Sequence, residues 1–201
     1  MRLGKVEATG GFFLLLAWLN YVDRQGIVPL AMAACLLHEL GHYLAIRCLG
    51  GDIKSIRLTV IGAEMLLPTS LGYWREGVAA LAGPGVNLVL AALLCRWQRW
   101  TLFTGVNLVL GCFNLMPVGR LDGGRALYCT LALLVGPDWA DRVGKWLDLS
   151  FTVCMLAIGV ALMGLGGNVT LLLVALWLTA VWINGKKKRN RACQMGRKRV
   201  K

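Results

Sequence analysis

Three ionisable side chains, His38, Glu39 and His42, stand in LLHELGHYLA at 36–45, a stretch that is otherwise apolar. Residues four apart share a helix face. His38 and His42 can therefore both offer an imidazole nitrogen to one tetrahedral zinc ion, with Glu39 beside them placed to take a proton from water. Soluble helices carry the same five letters by accident, with every side chain solvated. In a run that a bilayer would accept, each such group costs about 2.5–3.5 kcal/mol, so it marks a site with partners. The chain has two histidines in all, and both fall on this face.

A catalytic zinc takes three protein ligands and keeps one position open. No third histidine exists, so the remaining donor must be Asp, Glu or Cys. Cys35 would lie about 10 Å along a helix from His42, too far for both to reach one ion. Glu64 and Glu76 read as solvated interfacial acids, and Asp23, Asp52, Asp138, Asp141 and Asp148 as loop residues. That leaves Asp122, in CFNLMPVGRLDGGRALY at 112–128. Pro117 and Gly119 interrupt the apolar run before it. Backbone freed in this way is tolerated at membrane depth only where it lines a cavity or is buried in protein. Gly123 and Gly124 then allow another backbone to come close.

The elements that must position these residues are membrane helices. Of 201 residues, 57% are hydrophobic, and the mean hydropathy is +0.63, beyond the range of a soluble domain. Runs at 10–22, 27–49, 74–96, 101–117, 149–166 and 168–184 are mostly apolar, and several approach the ~20 residues a spanning helix needs. The expected fold is an all-α polytopic membrane protein of about six transmembrane helices, with the short run 125–136 extending the fourth. The first run is read as a retained helix and not a cleaved signal, because no small-residue cleavage site follows it. No 20–50-residue repeat is visible, and little chain remains for an attached soluble domain.

Between the second and third spans, Ile56, Leu58 and Val60 alternate with Arg57 and Thr59, the period of a strand with one oily face. The expectation is a small membrane-associated β-hairpin at 53–67 whose open edge could pair with another extended chain; an irregular interfacial loop is the other reading. GPDWADRVGKWLDLS at 136–150 reads as a cytoplasmic connector with Trp139 and Trp146 at headgroup depth, and GLGGN at 164–168 as a turn on the opposite side.

The net charge is +12, and nine positives lie in the last sixteen residues, KKKRNRACQMGRKRVK. Such a tail beside a span belongs in the cytoplasm, and an even number of crossings puts Met1 there as well. Arg96 and Arg99 fall on the outer side and disagree. No aromatic platform accompanies the basic run, so it reads as a topology anchor touching anionic lipid at about 1 kcal/mol per charge, with no nucleic acid expected. The seven cysteines are odd in number and scattered through apolar runs without a CxxC, which reads as buried small hydrophobes and no disulfide framework.

HELGH in the second span, followed some seventy residues later by NLMPVGRLDGG, resembles the site-2 protease family of intramembrane zinc metalloproteases over about residues 10–135. The compact six-span layout without a PDZ domain is most similar to the family's sporulation branch, although a basic tail stands where that branch has a nucleotide-sensing domain. The resemblance implies one Zn²⁺ held by His38, His42 and Asp122, with Glu39 as general base. It also matches AGPGVN at 82–87 and Asn114 to family elements. By that analogy Asn114 would steady the substrate or an oxyanion, or else cap a helix; Asn87 would meet substrate, or else serve helix packing. The strand region, with Ile56, Leu58 and Val60, would hold the substrate.

The expected organisation is an intramembrane metalloprotease domain at 1–185, with its catalytic core at about 10–135, and a basic cytoplasmic tail at 186–201. The expected activity is regulated intramembrane proteolysis of a single-span or membrane-associated protein, such as a transcription-factor precursor, in a bacterial cell membrane. Two rivals stand beside it. A metal transporter would show inverted repeats or scattered polar sites, and a non-catalytic relative that holds membrane partners would have lost a ligand or the base.

Overall fold

In the computed structural model the described residues are 2–3, 6–59, 62–66, 71–119 and 121–164. Val60, the turn after Gly164, the run 168–184 and the tail 186–201 lie outside them. In order, the chain forms β1 (Arg2–Leu3), β2 (Val6–Ala8), α1 (Gly10–Val22), α2 (Ile27–Cys48), β3 (Ser55–Thr59), β4 (Gly62–Leu66), α3 (Tyr73–Leu94), a 3₁₀ turn (Gln98–Trp100), α4 (Thr101–Asn114), α5 (Asp122–Leu134) and α6 (Pro137–Gly164). Residues 1–142 make one compact unit and 143–201 a second.

Among these, α2, α3 and α6 are long and apolar enough to cross a membrane, and α1 contributes a shorter apolar helix. The packing is inverted relative to a water-soluble core. Leu14 and Leu134 are each 75% exposed, whereas the largest fully buried side chains are Asn87, Asn107 and Pro84. Large apolar side chains outside and small or polar ones between helices suit a protein whose solvent is lipid. α3 is the central helix, packed on α2, α4 and α5. It turns Ala79, Ala80, Gly83, Pro84, Asn87 and Ala91 inward, so its neighbours approach closely.

Both ends of α2 are set locally. Gly26 precedes it in the left-handed region (φ +70°), and the Asp23 carboxylate accepts from the N–H groups of Gln25 (3.1 Å) and Val28 (2.7 Å). At the other end Gly50 (φ +78°) closes a Schellman motif, with Gly51 N–H donating to Ile46 O (2.8 Å) and Gly50 N–H to Arg47 O (3.1 Å). That end carries a small apolar core of Ile46, Ile53 and Ala79, against which Leu49, Ile56, Met65 and Leu71 pack.

The segment read for alternation holds β3 and β4, paired antiparallel with Ile56 opposite Met65 and Leu58 opposite Ala63. The sheet is larger than a hairpin, because β2 pairs parallel with β3, β1 pairs antiparallel with β2, and the order is β1-β2-β3-β4. Arg57 and Glu7 brace β3 to β2 through an ion pair of 3.2 Å. β3 is therefore an inner strand, bonded on both sides.

Three other expectations change. The run 125–136 does not extend the fourth span; its residues 125–134 belong to α5, a separate helix after a break at Leu115–Leu121. The insert 136–150, read as a connector, is helical from Pro137 and continues without a break into the apolar run after it, so 137–150 forms the first half of α6. Pro137 stands at the first helical position, where its missing N–H costs nothing and its fixed φ suits the helix. Of the six described cysteines only Cys129 is buried; the others lie on outward faces, as small apolar residues among lipid can.

Candidate metal centre

One turn of α2 separates His38 from His42, and their Nε2 atoms lie 3.1 Å apart. Asp122 comes from α5, with its Oδ2 3.1 Å from His38 Nε2 and 3.2 Å from His42 Nε2. All three side chains are buried, at 6–8% exposure, and their ligand atoms form the one such three-residue group among the described residues.

Each side chain is aimed by another helix. His42 Nδ1 lies 2.7 Å from Ala79 O on α3, and His38 Nδ1 lies 2.6 Å from Asn87 Oδ1, also on α3. α3 reaches α2 because Gly83 has no side chain: a Cβ there would run into the His42 ring. Asp122 is delivered by the break in the chain. Asn114 ends α4, tight turns bond Met116 N–H to Phe113 O and Leu121 N–H to Val118 O (3.1 and 2.8 Å), and α5 starts at Asp122. Gly123 packs on the carbonyl of Leu115 so closely that any side chain would collide. A carboxylate in the first turn of α5 also meets the positive end of the helix dipole. Its Oδ1 lies 3.7 Å from the Arg125 guanidinium, which in turn reaches Glu76 at 3.6 Å. Glu76 is thus half of an ion pair, and Oδ2 is the oxygen left facing the histidines.

The donor set fits a metal ion. A neutral imidazole carries one proton, and the acceptor-only Ala79 carbonyl claims that of His42 at Nδ1. The Asn87 oxygen claims that of His38 in the same way. Two bare Nε2 lone pairs and a carboxylate oxygen then converge with no proton to share, an arrangement that a cation reconciles. Two imidazoles and one carboxylate with a neighbouring cavity match the pattern of a catalytic zinc. That cavity, about 150 Å³, is lined by the three ligands together with Glu39, Asn114, Met65 and Arg125.

The remaining candidates divide. Glu39 and Asn114 face the cavity, and Asn114 Nδ2 also donates to Leu110 O at 3.0 Å. Asn87 does not face it as a substrate contact would; it is fully buried, bonded to His38, to Ala34 O (3.3 Å) and to Asn107 (2.8 Å). Ile56 packs into the small core, and Leu58 is on the same inner strand, so neither belongs to a free edge. Among the described residues the edge strand at this end of the sheet is β4, whose Met65 lines the cavity. Cys35, dismissed above on distance, sits on an apolar groove against α4. Asn107 and Arg125 were missed. The signal for Asn107 was an amide within TLFTGVNLVLGCFN, where a polar group is costly without a partner.

No family model matches the chain. A zinc metalloprotease of Methanocaldococcus jannaschii is 30% identical over 162 residues, covering 74% of this chain and 46% of that protein. Rip3 of Mycobacterium tuberculosis, whose name carries the same zinc-metalloprotease designation, is 31% identical over 186 residues, covering 80% of this chain and 44% of that one. The chain thus spans less than half the length of these relatives. Among solved structures, the site-2 protease from Methanocaldococcus jannaschii superposes with a TM-score of 0.64 at 25% identity, covering 89% of each chain. Taken with two histidines one turn apart and an aspartate brought to them from a broken helix, these likenesses show that the chain belongs to the site-2 protease family of zinc metalloproteases.

Proposed function

We propose that this chain is an intramembrane zinc endopeptidase that cleaves single-span or membrane-associated proteins at the centre formed by His38, His42 and Asp122. The observation that carries the reading is the convergence of these three buried side chains beside a cavity that also presents Glu39. When bound, zinc supplies a Lewis acid that makes water acidic near neutral pH and polarises the scissile carbonyl. Glu39 accepts the proton released from water as its oxygen bonds the carbonyl carbon, and passes it to the nitrogen that departs when the C–N bond breaks. Asn114, on the cavity wall, is placed to donate to the oxygen on which negative charge develops. Arg125 holds the free oxygen of Asp122 and keeps the ligand in one orientation.

A membrane helix must unwind before its backbone can be cut, and the β4 edge accommodates an extended chain. N–H and C=O groups on that edge, without a strand partner among the described residues, can add a substrate strand, and Met65 on the same strand reaches the cavity. The positive-inside distribution of Lys and Arg puts both termini in the cytoplasm, with the tail 186–201 against anionic lipid. The catalytic domain is read as 1–185.

Co-expression with single-span substrates tests the proposal. Glu39→Gln is expected to cut cleavage at least about 10²-fold while zinc content and fold persist. Proline at alternate substrate positions around the cleaved bond is expected to block cleavage, because it removes the N–H that pairs with β4. A Glu39→Gln protein that cleaves as well as wild type would overturn the peptidase reading.

A further inference from the structure

Among the described residues, the proposed metal ligands account for three of the buried polar side chains; Asn87 and Asn107 are the other two, and neither has any exposure. They lie in line. Asn107 Nδ2 donates to Phe103 O at 2.9 Å, Asn87 Nδ2 donates to Asn107 Oδ1 at 2.8 Å, and Asn87 Oδ1 meets His38 Nδ1 at 2.6 Å. A second backbone carbonyl, Ala34 O, takes the other Asn87 amide proton at 3.3 Å.

The direction of this chain is fixed by its ends. A backbone carbonyl can only accept, so Phe103 O requires the NH₂ of Asn107 on its side, and the Asn107 oxygen must then face Asn87. Asn107 Oδ1 and Ala34 O together require both amide protons of Asn87, whose oxygen is left for His38. Reversing either amide would set two oxygens against each other in a fully buried site, a costly arrangement. Only an N–H on His38 Nδ1 satisfies the last oxygen, which leaves Nε2 bare and pointed at Asp122 and His42.

We infer that Asn107 and Asn87 are positioning residues that carry proton polarity from the α4 backbone across α3 to His38, locking it as the Nδ1–H tautomer with Nε2 free for the metal. The inference rests on the metal-centre reading above and adds to it a residue, Asn107, that touches neither metal nor substrate. His42 needs no such relay, because Ala79 O meets it directly. His38 lies where α3 presents a side chain instead of a carbonyl, and an amide alone could point either way. Asn107 Oδ1, at the shorter distance of 2.8 Å, and Ala34 O, at 3.3 Å, together remove that freedom.

Two measurements test this. First, ¹⁵N-histidine spectra of the full chain contain only His38 and His42, and are recorded with and without chelator at mildly alkaline pH, where imidazole is neutral. Wild-type His38 is expected to carry its proton on Nδ1 in both. A proton on Nε2 would overturn the inference without need of any variant. Second, zinc affinity is measured by chelator competition. Asn107→Leu is expected to weaken binding about 10- to 100-fold, as loss of an outer-shell partner does. Asn107→Asp, protonated in this apolar interior and of the same shape and polarity, is expected to stay within about threefold of wild type. Asn107→Leu binding as tightly as wild type, or Asn107→Asp binding as weakly as Asn107→Leu, would also overturn it. A wild-type chain that binds no zinc would instead sink the metal-centre reading, while the nitrogen spectra would still report on Asn87.

Discussion

Gly83 acts through what it lacks. A Cβ there would strike His42 at Nε2, Cε1 and Cδ2, whereas one on Gly85, two residues on in the same helix, meets no atom within 4 Å. Gly83→Ala is therefore expected to cost about 1–3 kcal/mol of stability through overpacking and to weaken zinc binding by displacing His42. Gly85→Ala should be neutral or stabilising by up to about 1 kcal/mol. Thermal unfolding and zinc titration of the two variants side by side check the contrast. At this scale the sequence was most informative where chemistry is expensive. His38, Glu39 and His42 stood out because ionisable groups are costly in an apolar run, and Asp122 because Pro117 and Gly119 had already broken the helix before it. Asn107 and Arg125 were silent because their meaning lies in contacts that no local pattern encodes: a bond to an amide twenty residues earlier in one case, an ion pair with Glu76 on α3 in the other.

Among the elements, α2 bears two of the ligands, so the security of its first turn matters to the site. The Val28 N–H, with those of its neighbours, holds the Asp23 carboxyl below the usual carboxylate range. A depressed folded-state value means that the contribution is complete above the unfolded carboxylate pKa of about 3.9 and is lost as pH falls through the lower folded value. Protection of the Val28 amide from hydrogen exchange is thus expected to be constant near neutral pH and to drop in acid. Asp23→Ala should show the acid behaviour at every pH. Local pattern marked α2 and α3 as long apolar runs and β3 by its alternation, because each is long or regular enough to leave a signal. It failed for β1 and β2, two and three residues long, of which β2 has its parallel partner some fifty positions away. It failed also for α6, where polar residues at 138–148 lowered hydropathy without interrupting the helix.

For the molecule as a whole, composition identified the solvent. A chain with 57% hydrophobic residues that buries amides and glycines while exposing leucines is built for lipid, and hydropathy alone was enough to exclude a soluble fold. The number of crossings was less legible, because the break between α4 and α5 divides one apolar region into two short helices. That break has a thermodynamic corollary. His38 and Asp122 stand 84 positions apart, so a single ion gripping both would close a macrocycle through most of residues 1–142, and only the native arrangement offers it a complete grip. The ion is then a removable clasp on the tertiary structure as well as a reagent. Stripping it with a chelator should lower the melting temperature of detergent-solubilised protein, and resupplying it at one hundred times its dissociation constant should return about 2.7 kcal/mol. Asp122→Ala, which opens the clasp, should melt at the same temperature whether or not zinc is added.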